Sequence, residues 1–138
     1  MILLDTNVIS ELMRREPSAR VIAWIEERPR SGLGITAITQ AEILYGIELL
    51  PRGRRKHGLI TAAQAMFSED FRGRIFPFNS DAAPAFAKIS ALRQTSGKPI
   101  SQLDAQIAAI VQVLGAELAT RKLTDFEGCG IKLLNPWG

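Results

Sequence analysis

The sequence has one cysteine, Cys129, and one histidine, His57. One thiol cannot build a disulfide framework within the chain, and a lone thiol suits a reducing cytoplasm. Cys129 stands between Gly128 and Gly130 with no His near it in sequence, so it reads as a small filler side chain rather than a nucleophile. No His pair or Cys pair has zinc spacing, and a Ser-His-Asp mechanism would have to use His57, which lies in a charged run. A glycine-rich phosphate loop is also missing. The longest apolar stretch, 107–116, is broken by Gln112 and is too short to span a bilayer, so no membrane partner is expected. The opening residues carry no basic side chain and meet Asp5 at once, which does not fit a signal peptide. Nor is there a large excess of either charge. With 17 basic against 14 acidic residues the net charge is +3, too weak a lean to argue a nucleic-acid partner alone.

What is present is an ordinary globular composition, 46% hydrophobic and 22% charged, over 138 residues, which suits a single domain spanning 1–138. Short apolar runs at 2–4, 33–36, 75–78, 117–120 and 131–134 read as strands. Between them the spacing predicts helices over 8–15, 19–28 behind Ser18, 37–50, 59–71, a helix capped by Ser80 or Asp81 running to Thr95, and 102–114 behind Ser101, closed by Gly115. The basic stretch 51–58 is a loop or a helix start. This alternation predicts an α/β fold, a mainly parallel sheet of about five short strands flanked by helices. Ligands in such sheets sit at the carboxyl ends of strands, where Asp5 and Thr120 are expected.

Two acids break the helical pattern. At 3.6 residues per turn, Glu42 has Ile38, Tyr45, Gly46 and Leu49 as surface neighbours, and Asp104 has Ile107, Ala108 and Val111. A carboxylate buried on such a face costs several kcal/mol unless it is paired. Each acid has an ordinary structural explanation: Asp5 or Asp104 as a helix cap, Glu42 paired with an arginine. Taken together with Asp5 at a strand end, they suggest a shared cation. Carboxylates suit Mg²⁺ or Mn²⁺, and such a site polarises a phosphodiester and activates water.

The opening Ile2-Leu3-Leu4-Asp5-Thr6-Asn7-Val8-Ile9-Ser10-Glu11 resembles the start of PIN-domain toxins of the VapC and FitB type. Residues 38–46, carrying Glu42, and 100–109, carrying Asp104, resemble their second and third motifs. Ala119-Thr120-Arg121 with Asp125-Phe126 and the closing Asn135-Pro136-Trp137 resemble their last segment. The resemblance spans nearly the whole chain, in order. It implies a Rossmann-like PIN fold and cleavage of RNA dependent on Mg²⁺ or Mn²⁺. Asp5, Glu42 and Asp104 would be the acidic triad, Asp5 and Asp104 contacting the metal most directly and Glu42 holding a metal or its water. Thr6 and Asn7 would orient Asp5, and Thr120 would support the site by hydrogen bonding. It also implies a homodimer, a cognate antitoxin carrying a DNA-binding module, and a higher assembly with that antitoxin. The sequence departs from the family at Lys122, where Asn or Asp is usual. Asp125 would then supply the fourth carboxylate. Lys122 itself would contact substrate phosphate, stand in for a second metal's charge, or repel the metal.

Phosphate contacts are expected among Arg14, Arg15, Arg52, Arg54, Arg55, Lys56, Arg93, Lys98 and Arg121. The aromatic residues are not interleaved with the run 52–57, so no base-stacking platform is expected, and most are read as core; Tyr45, on the face of Glu42, is read as core in preference to lining the cleft. The wide apolar surface of the 37–50 helix suggests a dimer seam. Three functions fit: a ribonuclease toxin, a catalytically weakened PIN-fold module that binds antitoxin or RNA, and a phosphohydrolase acting on small phosphate esters.

Overall fold

The computed structural model describes residues 1–138. Five strands are present: β1 (Ile2–Leu4), β2 (Leu33–Thr36), β3 (Ile75–Phe76), β4 (Glu117–Ala119) and β5 (Lys132–Leu134). They form one sheet in the order β3-β2-β1-β4-β5, and every pairing is parallel. The helices are α1 (Thr6–Leu12), α2 (Ala19–Glu26), α3 (Ala37–Glu48), α4 (Arg54–Ala65), α5 (Ala83–Thr95), α6 (Gln102–Val113) and the short α7 (Leu123–Phe126). A 3₁₀ turn, Arg30–Gly32, precedes β2, and a π-helical turn, Met66–Asp70, continues α4. No helix is long and apolar enough to cross a membrane.

The strands are short and apolar because both faces of the sheet are covered. Successive residues alternate between the two layers. Leu3 and Leu118 pack into one core with α5, α6 and Phe126, while Leu4 and Ala119 pack into the other with Val8, Ile9, Ile43 and Ile47. Gly34 in β2 lets β3 approach: a Cβ there would lie 2.9 Å from both the Arg74 carbonyl and the Phe76 ring. Gly115, at φ +62°, makes the left-handed turn that ends α6 and starts β4.

Several expected boundaries move. The first helix starts at Thr6, with Asp5 as its cap, and stops at Leu12. The fourth starts at Arg54, so of the two readings of the basic run 51–58 the helix start is the one found, with 51–53 lying before the helix. Neither Ser80 nor Asp81 caps α5; Ala82 holds the cap position with no side-chain bond, and Pro84 sits in the first turn, where its missing N–H costs nothing. β3 ends at Phe76 because Pro77 cannot continue the ladder, and it is an edge strand, as its proline implies. The four-residue α7 was not anticipated; it is shorter than any helical period can reveal.

The Glu42 face of α3 is not core. The buried line on that helix is Thr39, Ile43 and Ile47, whereas Tyr45 is 66% exposed and Leu49 68%. The hydropathy of α3 is spread around the helix, so its period alone does not identify the inner face.

Candidate active site

The site grows from the ends of the two central strands. Past β1 and β4 the ladder adds one bond, from Asp5 N–H to the Ala119 carbonyl at 2.9 Å, and Thr120 N–H is held by the Leu134 carbonyl of β5 at 2.8 Å. Asp5 and Thr120 are thereby fixed side by side, and both are fully buried. The Thr120 hydroxyl donates to Asp5 Oδ2 at 2.8 Å, the Asn7 amide donates to the same oxygen at 3.1 Å, and Thr6 N–H donates to Oδ1 at 2.8 Å. Asn7 is held in turn: its Oδ1 accepts from Arg121 N–H at 3.1 Å. Burial pushes the Asp5 carboxyl above its usual range; the Thr120 and Thr6 donors and the Lys122 charge pull it back only in part.

Thr6 links the next acid. Its hydroxyl donates to Glu42 Oε1 at 2.8 Å and lies 3.1 Å from the Thr39 hydroxyl, in the first turn of α3. Thr36 caps that helix through Thr39 N–H, which fixes where Glu42 emerges. Asp104 emerges from the first turn of α6, whose cap Ser101 accepts from Asp104 N–H at 3.2 Å. Its carboxylate meets Lys122 Nζ, 3.1 Å from one oxygen and 3.2 Å from the other. Asp125 is exposed in α7 and makes no side-chain bond, although its charge acts on Lys122. Burial draws the Lys122 ammonium down, but the Asp104 bond and the charges of Asp104, Asp5 and Asp125 outweigh it, so its pKa lies above the ordinary lysine range.

These residues suit a hard cation. Three carboxylates already act on one cationic atom, the Lys122 ammonium, and Asp5 is a buried oxygen donor whose bonds come only from neutral groups. No three acidic, His or Cys side chains are gathered closely enough to hold a metal ion among them. Mg²⁺ does not require three, because it keeps several waters and binds through one or two carboxylates.

A cleft opens beside the acids, lined by Thr6, Asn7, Ser10, Glu11, Arg14, Glu42, Arg121, Lys122 and Trp137. An adjoining groove runs past Arg14, Glu42, Gly46 and Arg55. Arg14, Arg55 and Arg121 therefore flank the acids, whereas Arg54, next in sequence, lines neither cleft. Arg121 lies over the Trp137 ring, 4.9 Å from its centroid. Ser10 and Trp137 are cleft residues that sequence reasoning missed. The i, i+4 spacing of Thr6, Ser10 and Arg14 carried the signal for Ser10. Arg93 is no phosphate contact: it is buried, and its guanidinium donates to the carbonyls of Lys98, Asp125 and Glu127. A separate, mainly apolar hollow, lined by Leu4, Leu12, Met13, Ile25, Met66 and Phe71 among others, holds none of the acidic-centre residues.

The family model described as PIN domain matches residues 2–123. The chain is 39% identical to VapC ribonuclease Y4jK of Sinorhizobium fredii over 137 residues, covering 99% of this chain and 98% of that protein. It is 38% identical to Toxin FitB of Neisseria gonorrhoeae, with 99% of each chain covered. Among solved structures, a FitAB complex bound to a DNA fragment superposes with a TM-score of 0.94 at 38% identity, covering 100% of this chain and 96% of that one. A DNA-bound VapBC from Salmonella typhimurium shares the fold, with a TM-score of 0.81 at 23% identity and coverage of 98% and 97%.

Proposed function

From the premise that this chain belongs to the PIN-domain family, we propose that it is a metal-dependent endoribonuclease, the toxin of a toxin–antitoxin pair acting in the cytoplasm. The observation that carries this reading is Asp5: a buried carboxylate at the carboxyl end of the central strand, bonded only by neutral donors and facing the Asp104–Lys122 pair. The similarity to a VapC ribonuclease and a FitB toxin along nearly the full length supports RNA as the substrate.

Asp5 and Asp104 would hold Mg²⁺ or Mn²⁺, with Glu42 on one of its waters. The ion would polarise the phosphodiester and make a bound water acidic enough to attack. The chain's own groups do the rest. Thr6, Asn7 and Thr120 fix the direction of the Asp5 oxygens, so little reorganisation is needed when the phosphate arrives. Arg14, Arg121 and Arg55 along the clefts offset the negative charge of the acids and give the RNA backbone a place to rest.

The partners follow the same lines. The exposed apolar residues of α3 and its C-cap, Leu44, Tyr45 and Leu49, support a protein contact there, and the reading assigns it to a homodimer. The likeness to FitAB supports a cognate antitoxin carrying a DNA-binding module. A stable monomer in sedimentation at micromolar concentration would remove the dimer.

The test is cleavage of total bacterial RNA by the purified chain. Discrete products are expected with Mg²⁺ or Mn²⁺, none with EDTA, and none from Asp5→Asn. Products that persist in Asp5→Asn come from a contaminant. A folded, metal-loaded chain that cuts nothing would instead favour the weakened binding module, a reading supported by the pairing of Lys122 with Asp104. Hydrolysis of a chromogenic phosphate monoester in preference to RNA would favour the small-ester phosphohydrolase.

A further inference from the structure

The cleft beside the acids holds about 460 Å³, within the roughly 300–1,000 Å³ of a small-ligand pocket. Its lining side chains are polar or charged with one exception, Trp137. The indole packs against the core that holds Leu4, Val8 and Ile9, yet it meets no other apolar side chain along the cleft. Its ring N–H makes no hydrogen bond within the chain, and no buried side-chain polar atom is left without a partner, so that N–H reaches solvent.

The ring is placed by the same groups that place Asp5. Thr120, whose hydroxyl holds Asp5, ties the end of β5 through its N–H to the Leu134 carbonyl at 2.8 Å. The turn that follows is closed by Asn135. Its Oδ1 accepts from Trp137 N–H and its carbonyl from Gly138 N–H, both at 3.0 Å, with Pro136 fixing φ between them. Arg121, next after Thr120, is exposed, and its guanidinium covers the ring at 4.9 Å from the centroid. The Arg121 N–H is held by Asn7, which also donates to Asp5.

An indole open to a polar cleft suits one kind of RNA group. Unpaired bases stack on aromatic rings whatever their sequence, while arginine meets the phosphates. The magnitudes decide which partner the ring keeps. An exposed cation–π contact is worth about two- to fivefold in an equilibrium constant. A stacked base is worth roughly ten- to a hundredfold. We propose that Trp137 is the base-binding residue of the cleft: its indole stacks one unpaired RNA base beside the phosphodiester that the acidic centre cuts, and Arg121 leaves the ring for the backbone phosphate. The proposal rests on the ribonuclease reading above and adds to it a nucleotide subsite and a requirement for an unpaired base.

The test uses two probes, a short single-stranded oligoribonucleotide pool and a ribose-phosphate strand of the same length without bases. Both are titrated in Mg²⁺ into the full chain carrying Asp5→Asn, which leaves them uncut. Anisotropy of the labelled strand and tryptophan emission are followed. The base-bearing strand is expected to quench the emission, and the base-free strand to leave it unchanged. Adding Trp137→Leu is expected to weaken the base-bearing strand roughly ten- to a hundredfold and the base-free strand little, whereas Trp137→Phe keeps much of the affinity. Thermal melts show that each variant is folded. With Asp5 intact, Trp137→Leu is expected to raise KM for RNA more than it lowers kcat. Unquenched emission at saturation with the base-bearing strand would overturn the proposal without recourse to any variant at Trp137. So would an equal loss on both strands in Trp137→Leu, or an unchanged KM; each leaves the ribonuclease reading standing. A chain that binds neither strand and, with Asp5 intact, cuts no RNA would remove the ribonuclease reading and the proposal together.

Discussion

Asp5 and Arg93 are both buried charges, 1% and 7% exposed, and both are surrounded mainly by neutral groups, yet they end in different chemistry. Arg93 is enclosed. Its guanidinium donates to the carbonyls of Lys98, Asp125 and Glu127 at 2.7, 2.7 and 3.0 Å, and no carboxylate approaches it. Those carbonyls belong to the loop after α5 and to the segment around α7, so the charge ties two irregular stretches to the helix. Asp5 receives three hydrogen bonds as well, from Thr6, Asn7 and Thr120, but burial still outweighs them and its carboxyl remains hard to ionise. The difference lies in what the remaining valence can reach. Arg93 uses its charge on backbone, which cannot leave, while Asp5 lies buried behind Thr6 and Asn7 of the cleft wall, within reach of the charges of Lys122 and Asp104. A buried charge is structural when its partners are fixed dipoles, and functional when its counter-charge can be exchanged.

The largest effect expected from breaking this contrast is at Asp5. Asp5→Asn keeps the size and most of the hydrogen bonding but removes the anion. Cleavage should fall on the order of a thousandfold, equivalent to several kcal/mol of lost transition-state stabilisation. Thermal stability at neutral pH should hold or rise, because the charged carboxylate is disfavoured by burial. A variant that lost activity and stability together would make Asp5 a structural residue like Arg93.

The converse holds at Arg93. Arg93→Met leaves three carbonyls without their donor, at a cost of about 3 kcal/mol, or roughly 10 °C in Tm. Activity per folded molecule should change far less than in Asp5→Asn. Thermal melts and cleavage assays on the same samples check both halves. The reverse pattern, full stability with lost cleavage, would mean that Arg93 serves the substrate.

A smaller effect is expected where the cleft meets solvent. Arg121→Ala removes a cation that lies over Trp137 and lines the cleft. RNA binding should weaken roughly tenfold at low salt, with a shallower dependence on salt, since removing one cation from a phosphate lowers the slope by about one. An unchanged salt slope would show that Arg121 only packs against Trp137.

The same contrast explains what could be read in advance. The strands at 2–4 and 33–36 and the caps Ser18 and Ser101 were legible because apolar runs and capping residues act over a few positions. Asp5 and Thr120 were legible because a parallel sheet places the residues after its strands at one end. Arg93 was not. On the sequence it is one of many basic residues, and only the return of 125–129 beneath α5 gives its guanidinium partners. Tyr45 failed for the same reason: the inner line of α3 is chosen by what packs across it, and an evenly apolar helix does not declare that line. Lys122 was visible as a departure from the family pattern, but its direction depends on Thr120 and Phe126.

Glu11 is a third buried charge, and it lies between the other two. Its carboxylate accepts from Ser18 N–H at 2.9 Å and from the exposed Arg14 guanidinium at 3.3 Å, so it has one fixed partner and one exchangeable one. The Ser18 hydrogen bond, assisted by Arg14, holds its pKa below the usual 4.5. The sign follows from proton counting: the unfolded chain binds the proton more readily than the folded one, so stability is gained as pH rises. The contribution is fully present above 4.5 and is lost as pH falls through the lower folded value. Thermal melts of wild type against Glu11→Gln should therefore differ most near neutral pH and converge in acid. The cost of Glu11→Gln should be small beside that of Arg93→Met, because Gln can still accept from Ser18 N–H. If the gap stayed constant from neutral to acid pH, Glu11 would act through packing alone, and its place between Asp5 and Arg93 would be lost.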